Sequence, residues 1–130
     1  MNAVSFDIMT LLSNNTLGTI GTDLGAMAWL EGVDEQVIII DTGSIDRDLA
    51  LQSEQPTFQI LARGEKNDDL KVTHDKLRAI HEFLLPLSTT VINGEDYLSF
   101  FPISIPTGVG RDKNDRAVFT ANYSTFRNPL

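Results

Sequence analysis

The sharpest candidate for chemistry is Ile39-Ile40-Asp41-Thr42-Gly43, where an apolar strand delivers a carboxylate into a Thr-Gly turn. Aspartic proteases carry this pattern, and in them two carboxylates share one proton so that one can act as base while the other donates. The chain holds a single Asp-Thr-Gly, so Asp41 could work this way only in a symmetric dimer. Val109-Gly110-Arg111-Asp112 looks like the apolar-Gly-Arg segment that follows in a dimeric protease. However, Lys113-Asn114-Asp115 is polar where an apolar helix is needed, and a long helix between the two motifs does not belong. The plainer reading of Asp41-Thr42-Gly43 is a turn at a strand end.

Other chemistries find less support. His74 and His81 lie seven apart on one helix without a third ligand at metal spacing, so edge packing explains them. Ser44 lacks the Gly-x-Ser-x-Gly elbow of a nucleophilic serine. Gly108-Val109-Gly110 has neither a βαβ context nor a phosphate-binding lysine. With no cysteine there is no disulfide, thiolate nucleophile or Cys-based zinc site. No catalytic residue, metal or cofactor is expected.

The 130 residues, 42% hydrophobic and 22% charged, suit one domain spanning residues 1–130. A net charge of -8 repels a nucleic-acid backbone, so sequence-independent DNA gripping is not expected. The charge is uneven: residues 1–46 hold seven acids, Asp34 and Glu35 among them, and no Lys or Arg. That asymmetry offers either an acidic face or simple solubility. No basic leader precedes an apolar run at the N-terminus, and no apolar stretch is long enough to span a bilayer, which predicts a soluble, intracellular product.

The elements that must position these residues follow from periodicity. Val4, Ile8, Leu11 and Leu12 predict a helix from Val4 to Asn15. Met27–Leu30 and Val37–Ile40 read as strands around a Glu31–Asp34 turn, the second of them buried on both faces. A polar surface loop runs from Ser44 to Gln55. The strand Thr57–Arg63 then alternates Phe58, Ile60 and Ala62 against Gln59, Leu61 and Arg63. A helix from Asp68 to Leu85 presents Leu70, Leu77, Ile80, Phe83 and Leu84, with Lys71–Asp75 and Arg78–Glu82 on its wet side and Pro86 ending it. Asn93-Gly94 marks a hairpin. Its second strand should place Tyr97, Phe101, Ile103 and Ile105 on one face and Leu98 and Phe100 on the other. Pro106–Arg116 reads as a loop before a last strand, Ala117–Phe126. The order α-β-β-β-α-β-β-β predicts an α+β fold with two main helices and about six strands in a mostly antiparallel sheet. Strands apolar on both faces leave sheet area either for the two helices or for a neighbouring subunit.

Taken together, these features resemble the phage tail terminator family, small proteins of long-tailed phages (siphophages) related to the minor capsid and lambda-type tail terminator groups. The likeness is carried by Asp41-Thr42-Gly43 closing a strand, by the strand Pro56–Gly64 and by the helix after it. Its most specific part is Ile105-Pro106, Gly110–Arg116, and the strand through Phe119, Asn122, Tyr123 and Arg127. It covers about the last two thirds of the chain. The first 35 residues match only in their helix-then-strand pattern.

The resemblance implies a virion protein, assembled in the host cytoplasm and sited at the head–tail interface. Such a protein would be a non-enzymatic hexameric ring on the head-proximal end of the tail tube that stops tube growth and joins the head. Its partners would be further copies of itself, the tube protein and the head connector or stopper, with no membrane and no small-molecule substrate. DNA would pass through the lumen without specific binding, and Asp34 and Glu35 are candidates for an acidic lumen wall. Arg63, Gly110, Arg111, Asp112 and Arg116 are candidates for contacts with a neighbouring subunit or the tube; for Arg111, Asp112 and Arg116 the alternative is an ion pair within the loop of one chain. A connector or stopper neck protein is the nearer alternative, and a dimeric protease using Asp41 the remote one.

Overall fold

The computed structural model describes residues 3–44 and 55–129. The observed order is α1 (Val4–Asn14), β1 (Leu24–Ala26), β2 (Gln36–Ser44), β3 (Pro56–Lys66), α2 (Leu70–Leu84), β4 (Ser88–Ile92), β5 (Glu95–Arg111) and β6 (Arg116–Pro129). The strands form one sheet in the order β1-β2-β3-β6-β5-β4, antiparallel except for the short parallel β1–β2 pair. This is the expected α+β architecture. Most of the predicted Ser44–Gln55 loop lies outside the described residues.

Both helices contribute to one apolar core. Ile8, Leu11 and Leu12 of α1 and Leu77, Ile80 and Leu84 of α2 join Phe58, Ile60 and Ala62 of β3, Tyr97 and Phe100 of β5, and Ala121 and Tyr123 of β6. The predicted alternation of β3 holds, because Phe58, Ile60 and Ala62 are fully buried. Phe58 stacks on Tyr123 at 5.4 Å and meets Phe100 edge-on at 6.2 Å. Such pairs add about 0.5–1.5 kcal/mol each beyond burial. Leu70 departs from the predicted stripe. It is the first residue of α2 and stands 42% exposed.

Gly64 sets how closely α2 approaches β3. A Cβ there would lie 2.3 Å from Thr73 Oγ1. The N-terminus of α2 is capped by Asp69, whose side chain accepts from the Lys71 N–H at 3.0 Å. At the β4–β5 turn, Asn93 and Gly94 take φ values of 51° and 80°, as a two-residue hairpin connection requires.

Four expectations are corrected. Met27–Leu30 is not a strand. The strand is Leu24–Ala26, and Met27 leaves it through a left-handed φ of 72°. β2 does not stop before the Thr-Gly pair, because it bulges between Asp41 and Gly43 and still pairs Ser44 with Pro56. β5 does not keep a single alternation. A register shift between Tyr97 and Ser99 brings Tyr97 and Phe100 into the core together, stacked at 5.9 Å, while Phe101, Ile103 and Ile105 face solvent. Finally, Pro106–Arg111 is strand, paired with β6 through Thr107–Thr120, Gly108–Phe119, Gly110–Val118 and Arg111–Ala117. A proline fits there because no described strand needs an N–H on the outer side of β5.

Candidate functional site

The predicted contact residues converge at the tip of the β5–β6 hairpin, where only 112–115 separate the strands. The Arg116 guanidinium reaches Asp112 Oδ2 and Asp34 Oδ1, both at 2.9 Å. The Asp112 carboxylate also accepts from the backbone N–H groups of Asn114 and Arg116 at 2.9 and 3.0 Å. Burial opposes charge on both side chains. The hydrogen bonds outweigh it, holding the Arg116 pKa above its ordinary value and the Asp112 pKa below its own. Arg111 turns toward the start of α2 and donates to Asp68 O at 2.6 Å and to Asp115 O at 3.1 Å. Gly110, at φ 108°, allows the irregular register just before it.

Arg63 belongs to the same cluster from the β3 side, but as a buried residue. It donates to Val33 O at 2.7 Å and Asp34 O at 3.0 Å, and its guanidinium lies 4.4 Å above the Trp29 ring. Burial, then the neighbouring Arg116 charge, lowers its pKa, with Asp112 and Asp34 opposing. Arg63 therefore fastens the Glu31–Glu35 connection to the sheet. Glu35 lies beside the cluster and meets Lys76 of α2 at 3.4 Å. Both candidate lumen acids thus have a cationic partner within the same chain, and Asp112 and Arg116, candidates for a subunit or tube contact, form an ion pair across the loop of one chain.

Asp41 has a structural task in this chain. Helix α1 begins after Ala3, which offers no side-chain cap, and Asp41 supplies what is missing. Its Oδ1 accepts from the Ser5 N–H at 2.9 Å and its Oδ2 from the Ser5 hydroxyl at 2.8 Å. A carboxylate at the positive end of a helix is favourable on electrostatic grounds as well. Thr42 is tied to β3 through Thr57, hydroxyl to hydroxyl at 2.8 Å.

The histidines pack against β6. His74 meets Phe119 edge-on at 5.5 Å, and His81 Nδ1 lies 2.7 Å from the Tyr123 hydroxyl. Among the described residues no group of three or more His, Asp or Glu could hold a metal ion. An open cleft of about 510 Å³ lies between the end of α1 and α2, lined in part by Thr16, Thr19, Asp23 and Lys76. Asp23 is used locally there, accepting from the Thr19 N–H at 2.7 Å.

One polar network was not anticipated. Asp7, fully buried, accepts hydrogen bonds from Tyr97 Oη and from Asn93 Nδ2, the latter at 2.9 Å. Arg127 donates to Tyr97 Oη at 3.2 Å and meets Glu95 at 3.1 Å. Burial and the Asp7 hydrogen bond push the Tyr97 phenol far above its ordinary pKa, with Arg127 opposing. A signal was present in the sequence: Asp7 falls at stripe spacing between Val4 and Leu11, where a carboxylate must be buried and paired.

Residues 11–126 match the family described as bacteriophage tail terminator protein. The chain belongs to that family. The match starts within α1 and runs almost to the end of β6, so it takes in β1 and the acidic turn as well as the last two thirds of the chain. No curated protein matches the chain. Membership makes the protein a structural virion component of tail assembly, which agrees with a non-enzymatic role and with Asp41 serving as a helix cap. No helix among the described residues is long and apolar enough to cross a membrane.

Proposed function

We propose that this tail terminator family member caps the head-proximal end of the tail tube as a six-membered ring. There it stops tube polymerisation and offers a surface to the head connector or stopper. The observation that carries this reading is the family match across nearly the whole chain. The composition supports it. DNA must traverse the ring, and a chain of net charge -8 repels phosphate instead of holding it. Part of the acidic first third faces the lumen in this reading. Glu35 is the cleaner lumen candidate, because Asp34 also fastens the hairpin tip through Arg116.

The test is capping. Particles assembled without this protein should contain overlong tubes that do not join heads, and purified protein added to growing tubes should fix their length. Tubes of normal length in its absence would overturn the terminator role. Normal tubes that fail to join heads would point to a stopper or connector in the neck.

A further inference from the structure

We propose that the outer edge of β5, from Phe101 to Val109, is the surface by which one copy of this chain grips the next, against the β1 end of the neighbour's sheet. The inference rests on the ring reading and deepens it by naming the contact. β4 covers β5 only between Glu95 and Ser99, and beyond that point no described strand pairs with its outer edge. Natural sheets protect such edges with charges, inward kinks or covering elements. Here the fourteen residues from Tyr97 to Gly110 carry no charge at all. Phe101, Ile103, Ile105 and Val109 are 42%, 58%, 62% and 65% exposed.

A second copy is the occupant that the charge distribution favours. Two chains of -8 repel over most of their surfaces, and this uncharged strip is where they can meet without that cost. Covering these side chains and the strand backbone removes on the order of 500 Å² per copy from water, a large part of the roughly 800 Å² per partner of a stable interface. The other end of the sheet, around β1, exposes Ile20 and Met27 at 47% and 50%. The two ends therefore carry different apolar surfaces, which suits the head-to-tail contact a closed ring requires.

The experiment compares the full-length chain with an Ile103→Lys, Ile105→Lys variant by light scattering behind size exclusion over a concentration series, with circular dichroism melts as a check on folding. Both positions face solvent, so the monomer should melt unchanged while its association weakens at least tenfold. A second arm uses the natural absence of cysteine. Ile105→Cys mixed with Met27→Cys should form disulfide-linked pairs on oxidation, and Ile105→Cys alone should not. This arm decides the question even if the lysine variant fails to fold. An intact ring that ignores the lysines, or that never forms the mixed disulfide, overturns the β5 surface and leaves the ring standing. Disulfides in the Ile105→Cys sample alone overturn the head-to-tail arrangement. A chain that stays monomeric throughout overturns the ring and this contact together, while the tube-capping test still judges the terminator role separately.

Discussion

Replacing Asp41 by Ala tests whether the Asp-Thr-Gly sequence is architecture. The carboxylate makes two hydrogen bonds to Ser5, at 2.9 Å from the backbone and 2.8 Å from the hydroxyl, across 36 residues of chain. Each such bond contributes about 1 kcal/mol net, and the interaction of a partly exposed carboxylate with a helix N-terminus about 0.5 kcal/mol more. Ala3 brings no side chain that could take over. Asp41→Ala should therefore cost about 2.5 kcal/mol. For a domain of this size that is a fall of about 10 °C in Tm, and in urea a lower midpoint with an unchanged slope. Asp41→Asn keeps an acceptor for the N–H, and the Ser5 hydroxyl can turn to accept from the new amide, so it should lose about 1 kcal/mol or less. Ser5→Ala removes only the hydroxyl contact, and a double-mutant cycle with Asp41→Ala should return a coupling of about 1 kcal/mol. If Asp41→Ala melts within 1 °C of the parent, or Asn costs as much as Ala, the capping argument fails. A dimeric protease makes the opposite forecast: Asp41→Asn would abolish a peptidase activity, whereas the terminator reading expects no proteolysis to abolish.

Gly64→Ala should destabilise by about 1–3 kcal/mol, because the new methyl overlaps Thr73 Oγ1, and Thr73→Ala in the same chain should recover most of the loss. Additive costs in the urea midpoints would refute that close approach. Burial, then the Arg78 charge, holds His81 below its ordinary 6.5, with Glu82 opposing. The unfolded chain therefore takes up a proton first, and stability should fall as the pH drops from 7 toward 5. In His81→Gln that part of the slope should vanish, and equal slopes would disprove the linkage. Tyr97→Phe removes a donor from the fully buried Asp7 and should cost about 1–3 kcal/mol in urea unfolding, without changing surface charge. Glu35→Gln should leave assembly intact but slow DNA delivery into infected cells. Unchanged delivery would remove Glu35 from the lumen wall.

Periodicity alone determined the helices, the β3 face and the Asn93-Gly94 hairpin, since each is written in a contiguous stretch with its own stop signal. Leu77, Ile80 and Leu84 can lie only on one side of a helix, and Phe58, Ile60 and Ala62 only on one side of a strand. The sequence also contained the family likeness and the acid-rich first third. What it could not determine depends on contacts between distant segments. Asp41 reads as a catalytic signature until Ser5, 36 residues earlier, takes both of its oxygens. Asp34, Arg63, Asp112 and Arg116 form one cluster only because β2, β3 and β6 are neighbours in the sheet. Pro106, Gly108 and Gly110 made the β5–β6 hairpin read as a loop, because local propensity says nothing about a ladder supplied by a strand about ten residues away. Register shifts along β5 then decided which apolar residues entered the core and which were left facing solvent. Each bulge moves the following side chains to the opposite face, and only pairing with β6 fixes where the bulges fall.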